Sequence, residues 1–182
     1  NLGLQDGATN LGAVSYTMRM GGVPAPYLTE AFDTVTAPAL PAGWTTAISG
    51  ALGAWTTIAT APVNSSPNAA VGPSAAAVGN TELISPAIAV PAGGAQLAFR
   101  NLYNLERGTT SYFDGMVLEY SVNGGAFADI TSGGNAFLTG GYNGVISPSF
   151  SNPLANRSAW SGLSGGTAAA PSYIDTVINL PA

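Results

Sequence analysis

Residues 95–130 read AQLAFRNLYNLERGTTSYFDGMVLEYSVNGGAFADI, and this stretch decides the fold class. Leu97 and Phe99 alternate with polar or small residues, and the same period of two returns over residues 116–122. This alternation is typical of β-strands with one buried face. The Asn-Gly-Gly step at residues 123–125 supplies the positive φ angles of a tight hairpin. The stretch therefore predicts three antiparallel strands joined by one longer loop and one tight turn.

The first two of these strands are expected to pair across the loop at residues 105–113. That pairing brings Arg100 close to Glu119 on the same face of the sheet. Opposite charges on neighbouring strands help to fix their register. The sequence therefore predicts a structural ion pair between Arg100 and Glu119.

The composition favours an all-β fold along the whole chain. The 182 residues include 24 Gly and 13 Pro, which lie between short apolar runs as they do in sandwiches and barrels. The hydrophobic fraction of 46% argues against disorder. Residues 173–180 (YIDTVINL) predict the last strand. No apolar run approaches the roughly 20 residues of a membrane span, so the chain is not expected to cross a membrane.

Charged residues are scarce, and several residue types that catalysis and binding commonly use are missing, which excludes several classes of function. They make up 7% of the chain against a typical fraction of about 25%. There is no Lys, and the net charge is −5, which excludes a phosphate-binding surface for nucleic acid or anionic lipid. There is also no Cys and no His, which removes thiol and imidazole catalysis and the usual zinc, copper and haem ligands.

The chain divides into an N-terminal unit and a main domain. Residues 1–22 predict a β-hairpin with strands at 2–6 and 12–20. Residues 23–27 form a Pro-containing linker, and a domain at 28–182 follows, opened by a strand over YLTEAFD. An isolated hairpin is only marginally stable in water, so it is expected to dock on its own chain, an upstream domain or a partner.

Seven motifs in a fixed order carry a family resemblance: FDTVTAPALPAGW, ELISPAI, LAFRNLYNLE, FDGMVLEYSVNGGAF, GGYNGVIS, NPLANRSAWSG and TVINLPA. Together they resemble a jelly-roll module of large secreted bacterial proteins, similar to the MAM domain and to the β-sandwich modules of secreted bacterial peptidases. The opening LQDGATNLGAVSYTMRMG resembles the last hairpin of an Ig-like module. The resemblance implies an all-β, antiparallel jelly-roll β-sandwich (MAM-like) over residues 28–182, with an N-terminal β-hairpin extension.

This sequence departs from that family at its end. Members of the family continue with further strands after the equivalent of INLPA. The chain is therefore expected to be an internal slice of a longer polypeptide, or a sandwich whose closing strands come from a partner by strand addition.

The resemblance also implies a structural calcium ion. Its first candidate ligands are Glu30 and Asp33, and Asn80, Glu82 and carbonyl groups of residues 61–79 would complete the shell. Hard oxygen ligands of this kind suit calcium. The alternative interpretation is that Glu30 and Asp33 are solvated residues at a sheet edge.

Aromatic side chains offer a second kind of site, because apolar sugar faces stack on aromatic rings. Trp44 and Trp55 are better interpreted as core residues, since Trp in a sandwich is usually largely buried. The remaining candidates for a ligand platform lie beside Gly-rich loops, one of which is predicted over residues 133–144: Tyr112, Tyr142 and Trp160.

Catalysis is not predicted. Glu106 and Asp114 flank one loop and can approach each other, as the two carboxylates of a glycosidase do. The simpler interpretation is a pair that stabilises a turn near a sheet edge. The many Ser residues lack the His that usually activates them.

The sequence thus predicts a non-catalytic, extracellular binding, adhesion or accessory module of a larger secreted bacterial protein. Its expected partners are other protein chains or cell-surface glycans. Two alternatives stay open. One is a structural subunit of an envelope-associated complex or filament assembled by strand pairing. The other is a carbohydrate-binding module, which an exposed aromatic row would favour.

Overall fold

The computed structural model describes residues 2–6, 9–14, 26–60, 62–74, 77–90 and 92–180. Its strands are short and pair only in antiparallel ladders. In chain order they are β1 (Leu2–Asp6), β2 (Thr9–Val14), β3 (Thr45–Gly50), β4 (Thr56–Ile58), β5 (Ala69–Val71), β6 (Gly79–Ile84), β7 (Ala95–Asn101), β8 (Glu119–Tyr120), β9 (Ala128–Asp129), β10 (Ala136–Thr139), β11 (Gly144–Val145), β12 (Ser158–Ala159), β13 (Gly166–Thr167), β14 (Ala170–Pro171) and β15 (Ile174–Leu180).

Helical structure is confined, within these described ranges, to two short 3₁₀ turns at Ser132–Gly134 and Ser149–Ser151. The predicted all-β, antiparallel character of the chain is therefore confirmed. No helix in the described ranges has the length and apolar character needed to cross a membrane.

The largest sheet contains three strands in the order β10-β15-β7. The central strand, β15, places Ile178 opposite Leu97 of β7 on one side and opposite Phe137 of β10 on the other. Ile178 is fully buried, whereas the alternate residues of β7 are exposed. The period of two in the sequence therefore produces one apolar face and one polar face, as predicted.

Trp160 covers the apolar face of this sheet. Its ring makes edge-to-face contacts with Phe99 at 5.9 Å and Phe137 at 5.5 Å between centroids. A second cluster joins Ile146, Leu154 and Ala159 beside it, close to the β11–β12 pair. These contacts form the core that holds the surrounding loops in place.

The remaining sheets contain two strands each: β1–β2, β3–β6, β4–β5, β8–β9, β11–β12 and β13–β14. The hairpin turn predicted at residues 123–125 forms between β8 and β9, with Asn123 and Gly124 at φ +54° and +75°. The N-terminal hairpin also forms, and β2 begins at Thr9, before the predicted start at residue 12. Residues 15–25, on which most of that strand and the linker fall, lie outside the described residues.

Three sequence-based predictions about strands are wrong. Residues 27–33 do not form a strand: Phe32 has φ +64°, and the Glu30 carboxylate accepts the Phe32 N–H at 2.6 Å, which closes a turn. The loop predicted over 133–144 contains β10. Finally, β7 pairs with β15 and not with the strand predicted over 116–122.

Candidate functional site

A cleft of about 400 Å³ lies between the loop at residues 105–114 and the turn at residues 148–153. Its walls combine aromatic, apolar and carboxylate side chains. The lining residues are Ala77, Val78, Gly79, Glu106, Phe113, Asp114, Phe150, Asn152 and Pro153. This combination makes the cleft the leading candidate for a binding site.

Hydrogen bonds bring the backbones of the two acidic residues of the cleft together. The carbonyl of Glu106 accepts the N–H groups of Phe113 at 3.1 Å and Asp114 at 3.2 Å. Gly108 N–H donates to the carbonyl of Ser111 at 2.8 Å and tightens the tip of the loop. The predicted approach of Glu106 and Asp114 across one loop is thus confirmed at the level of the backbone, and both residues line the cleft.

Phe150 stands at the mouth of the cleft with 74% of its surface exposed. Its backbone has φ +61° and ψ +22°, and Ser151 follows with φ +56°. A bulky residue rarely adopts a positive φ, and each such residue costs on the order of 1–3 kcal/mol. Among the described residues, the ring nevertheless meets only one aromatic partner, Phe113, edge-to-face at 5.6 Å. The turn therefore presents an apolar ring to solvent instead of burying it.

Asn152 fixes this turn to the neighbouring loop. Its Nδ2 group donates to the carbonyl of Phe113, and its Oδ1 atom accepts the N–H of Leu154 at 2.7 Å. Leu154 belongs to the buried cluster around Ile146. Asn152 therefore holds both walls of the cleft at a fixed separation.

The cleft carries negative charge without an internal counter-charge. The three ion pairs among the described residues use Arg100 and Arg157 as cations, and neither Glu106 nor Asp114 takes part in them. No basic side chain in the described part of the chain lines the cleft. Both acidic residues are exposed, so their charges face the solvent and any ligand that enters.

The aromatic platform predicted from the sequence does not form on Trp160 and Tyr142. Trp160 is 1% exposed, and its Nε1–H donates to the carbonyl of Gly140 at 2.7 Å. Tyr142 packs edge-to-face on Trp160 at 4.8 Å. Both rings belong to the core because they cover the apolar face of the three-stranded sheet. Tyr112 is half-buried and packs against the Ile146 cluster.

The hydroxyl of Tyr142 is engaged inside the protein. It accepts the N–H of Leu118 at 2.9 Å, and it lies 3.1 Å from the Leu118 carbonyl and 3.4 Å from Oδ2 of Asp129, both of which accept hydrogen bonds. Burial raises the pKa of Tyr142, the Leu118 hydrogen bond acts against that shift, and the Asp129 charge adds to it. Tyr142 therefore stays protonated well above the ordinary range of tyrosine.

The predicted ion pair between Arg100 and Glu119 is wrong. Arg100 lies opposite Asp175 of β15 and pairs with that carboxylate at 2.9 Å. Glu119 instead binds Arg157 at 2.6 Å. The reason is the strand pairing, since β7 takes β15 as its neighbour.

The candidate calcium ligands fall into two pairs. Asp33 Oδ1 accepts the backbone N–H of Asn68 at 2.8 Å, and Glu30 accepts that of Phe32. On β6, the Asn80 side chain donates to Glu82 at 3.1 Å. Within the described ranges no hydrogen bond joins the two pairs, and no group of three or more Asp or Glu side chains is placed to share a metal ion. The calcium ion remains a prediction of the family resemblance.

Trp44 and Trp55 are both half-buried. They are therefore neither fully buried core residues nor fully exposed rings of a ligand platform. Trp44 packs edge-to-face on Phe32 at 5.0 Å. Trp55 donates its Nε1–H to the carbonyl of Thr81 at 3.3 Å. The Trp44 contact closes the 26–44 segment on itself, whereas the Trp55 contact joins the β4 region to β6.

Sequence reasoning missed Phe113 and Phe150. The segment SPSFSNP, residues 147–153, contained a signal, because Phe150 is a large apolar residue placed among turn-forming Ser, Pro and Asn. Turns lie at the protein surface, so an apolar ring within one is expected to be exposed to solvent.

Comparisons with protein-family models, with curated proteins and with solved structures gave no match to this chain.

Proposed function

We propose that this chain is a non-catalytic binding module of an extracellular surface protein, and that it holds a carbohydrate in the cleft at Phe150. The observation that carries the proposal is the exposure of Phe150 beside two carboxylates. The proposal joins two predictions from the sequence, an adhesion or accessory module and a carbohydrate-binding module. A jelly-roll sandwich around the β10-β15-β7 sheet is the architecture we propose with it.

The chemistry of the cleft suits a sugar. The faces of a pyranose ring carry C–H groups, which pack on an exposed aromatic ring such as Phe150. The hydroxyls around the ring edge donate hydrogen bonds, and carboxylates such as Glu106 and Asp114 are strong acceptors. Apolar contact with one wall and polar contact with another is the usual arrangement in small-ligand sites.

The strained turn supports a binding role more than a packing role. Backbone strain persists where the surrounding structure fixes it, and it concentrates at ligand clamps. Here Asn152 holds the turn, and Phe150 gains little burial in return. A ligand that packs on the exposed ring would account for a Phe in this turn.

A glycan array tests the proposal directly. Labelled wild-type protein, Phe150→Ala and Phe127→Ala are applied to the same printed glycans. Phe127 is the matched control, because its ring is 50% exposed but it lies outside the cleft. We expect the wild type and Phe127→Ala to bind the same glycans and Phe150→Ala to lose at least tenfold in affinity. Equal binding by all three proteins, or no binding to any glycan, would contradict the proposal.

A second candidate function rests on β3. All six of its residues are exposed, and within the described ranges it pairs only with β6. Its sequence TTAISG lacks the charged residues and Pro that usually protect a free sheet edge. We propose as the alternative that a second chain adds a strand here, as in a filament or envelope-associated complex.

Light scattering separates this alternative from the first proposal. Strand addition predicts oligomers of the wild type and monomers of Ile48→Lys, since a Lys on an edge strand opposes pairing. Circular dichroism checks that the variant is folded. A monomeric wild type at high concentration would rule out self-assembly through β3.

A further inference from the structure

The described residues that line the cleft supply two negative charges and no positive one. Glu106 and Asp114 line it, and no Arg is among its lining residues. The chain as a whole has no Lys and four Arg. Two of those, Arg100 and Arg157, are held by carboxylates elsewhere. Arg107 follows Glu106 in the same loop, but its side chain packs against Gly162 and does not line the cleft. A ligand that enters the cleft therefore meets an electrostatic potential that favours a cation.

The aromatic wall favours the same charge. The face of an aromatic ring carries negative charge, so it attracts an ammonium group near its centroid. The edge-to-face contact with Phe113 holds the Phe150 ring, and most of that ring remains exposed. A cation with an apolar body can contact the ring and the carboxylates together.

A metal ion suits this cleft less well than an organic cation. Calcium needs six to eight oxygen ligands, whereas the lining offers two carboxylates among apolar side chains such as Val78, Phe113 and Pro153. The Asn152 carboxamide already binds two backbone groups. The apolar walls instead match the carbon skeleton of an organic ligand.

We propose, building on the proposed carbohydrate-binding function, that the ligand is an amino sugar whose amine is free and protonated. The sugar ring packs on Phe150, and the ammonium group pairs with Glu106 and Asp114. An N-acetylated sugar of the same ring structure carries no charge and loses this pairing. The inference thus separates free-amine from acetylated glycans.

Calorimetry in 150 mM salt tests the inference with defined probes. A tetramer of glucosamine and a tetramer of N-acetylglucosamine are each titrated into the wild type. We expect the free-amine tetramer to bind at least tenfold more tightly. Equal affinity for the two tetramers, or a preference for the acetylated one, would overturn the inference without the use of any variant.

Charge-neutral variants locate the interaction. Glu106→Gln combined with Asp114→Asn keeps the shape of both side chains and removes both charges. The matched control is Glu82→Gln combined with Asp175→Asn, which removes two charges outside the cleft. We expect the cleft variant to lose at least tenfold in affinity for the glucosamine tetramer and the control to lose less than threefold. Equal losses would show attraction to net charge alone and would overturn the inference.

Two further titrations, one with tetralysine and one with neutral sugars, separate the amino-sugar inference from the proposed carbohydrate-binding function. Tetralysine tests whether any flexible cation suffices, and we expect it to bind at least tenfold more weakly than the glucosamine tetramer. Equal binding of tetralysine would overturn the amino-sugar assignment. If neutral sugars bind as tightly as the glucosamine tetramer and Phe150→Ala abolishes that binding, the amine claim fails while the proposed function stands. If no sugar binding depends on Phe150, both fail.

Discussion

Glu119 and Asp129 stand directly opposite each other in the β8–β9 pair, and the guanidinium of Arg157 contacts both carboxylates, at 2.6 Å and 2.8 Å. Like charges opposite each other on paired strands are destabilising. The attraction of Arg157 to both carboxylates offsets their mutual repulsion. Because Arg157 directly precedes β12, the same contacts connect the β8–β9 hairpin to that strand. The side chains are 25–31% exposed, so solvent screens the ion pairs only in part.

Replacement of Arg157 by Gln should destabilise the protein by about 1–3 kcal/mol, because it leaves two facing carboxylates without their cation. Urea unfolding measures the change. Arg107→Gln is the control, since Arg107 is exposed and has no ion pair among the described residues. It should change the free energy of unfolding by less than about 0.5 kcal/mol. Similar losses in the two variants would show that the Arg157 network does not stabilise the fold.

The stability should fall in acid partly through Asp129. Burial alone would raise its pKa, but hydrogen bonds from Arg157 and Thr131 and the Arg157 charge outweigh burial and bring the pKa below the ordinary value of 3.8. The unfolded chain therefore binds this proton first as the pH falls. The contribution of Asp129 to the free energy of unfolding is complete above about pH 4. It is lost as the pH falls through the lower pKa of Asp129 in the folded protein.

Urea unfolding at pH 7 and pH 3 checks this dependence in the wild type and in Asp129→Asn. The wild type should lose more of its free energy of unfolding between the two pH values than the variant does. A variant as acid-sensitive as the wild type would show that Asp129 does not supply the effect.

At alkaline pH, Tyr142 should contribute a loss of stability. Burial raises its pKa above 10.0, so the unfolded chain releases the proton before the folded protein does. Its contribution is present below about pH 10 and declines as the pH rises further. Tyr142→Phe should lose less stability than the wild type between pH 8 and pH 11, as measured by urea midpoints. A residual decline is expected, because burial also raises the pKa values of Tyr103 and Tyr173.

Gly115 should not tolerate a side chain. A Cβ atom there would lie 2.5 Å from Cδ1 of Ile146 and 3.0 Å from Cβ of Ala159, inside the buried cluster. Gly115→Ala should therefore destabilise the protein by about 1–3 kcal/mol. Gly93→Ala is the control, since a Cβ atom at Gly93 meets nothing within 4 Å. Thermal or urea unfolding of both variants decides the question, and equal stabilities would mean that the cluster is less tightly packed.

Local patterns in the sequence predicted the elements that depend only on nearby residues. The turn at residues 123–125 formed because Asn and Gly accept positive φ wherever the strands lie. The last strand, predicted at 173–180, is β15 at Ile174–Leu180, because alternation of apolar residues is a property of the strand itself.

Local patterns could not predict which strands pair or which way a side chain faces. Alternation does not specify which distant strand pairs with β7, so Arg100 was assigned to Glu119 rather than Asp175. The sequence around Trp160 does not show which side of the chain faces the sheet, and the ring proved to be core. Glu106 and Asp114 were found because one loop connects them, whereas Phe150 was missed because its exposure depends on a strained turn.

The central claim is that the cleft at Phe150 binds carbohydrate. The most direct measurement is an NMR titration of ¹⁵N-labelled protein with the glucosamine tetramer and then with the N-acetylglucosamine tetramer, which reads every backbone amide at once. The account predicts saturable shifts centred on residues 105–114 and 148–153, which disappear in Phe150→Ala and persist in Phe127→Ala. An absence of shifts with both sugars, or shifts centred elsewhere, would contradict it.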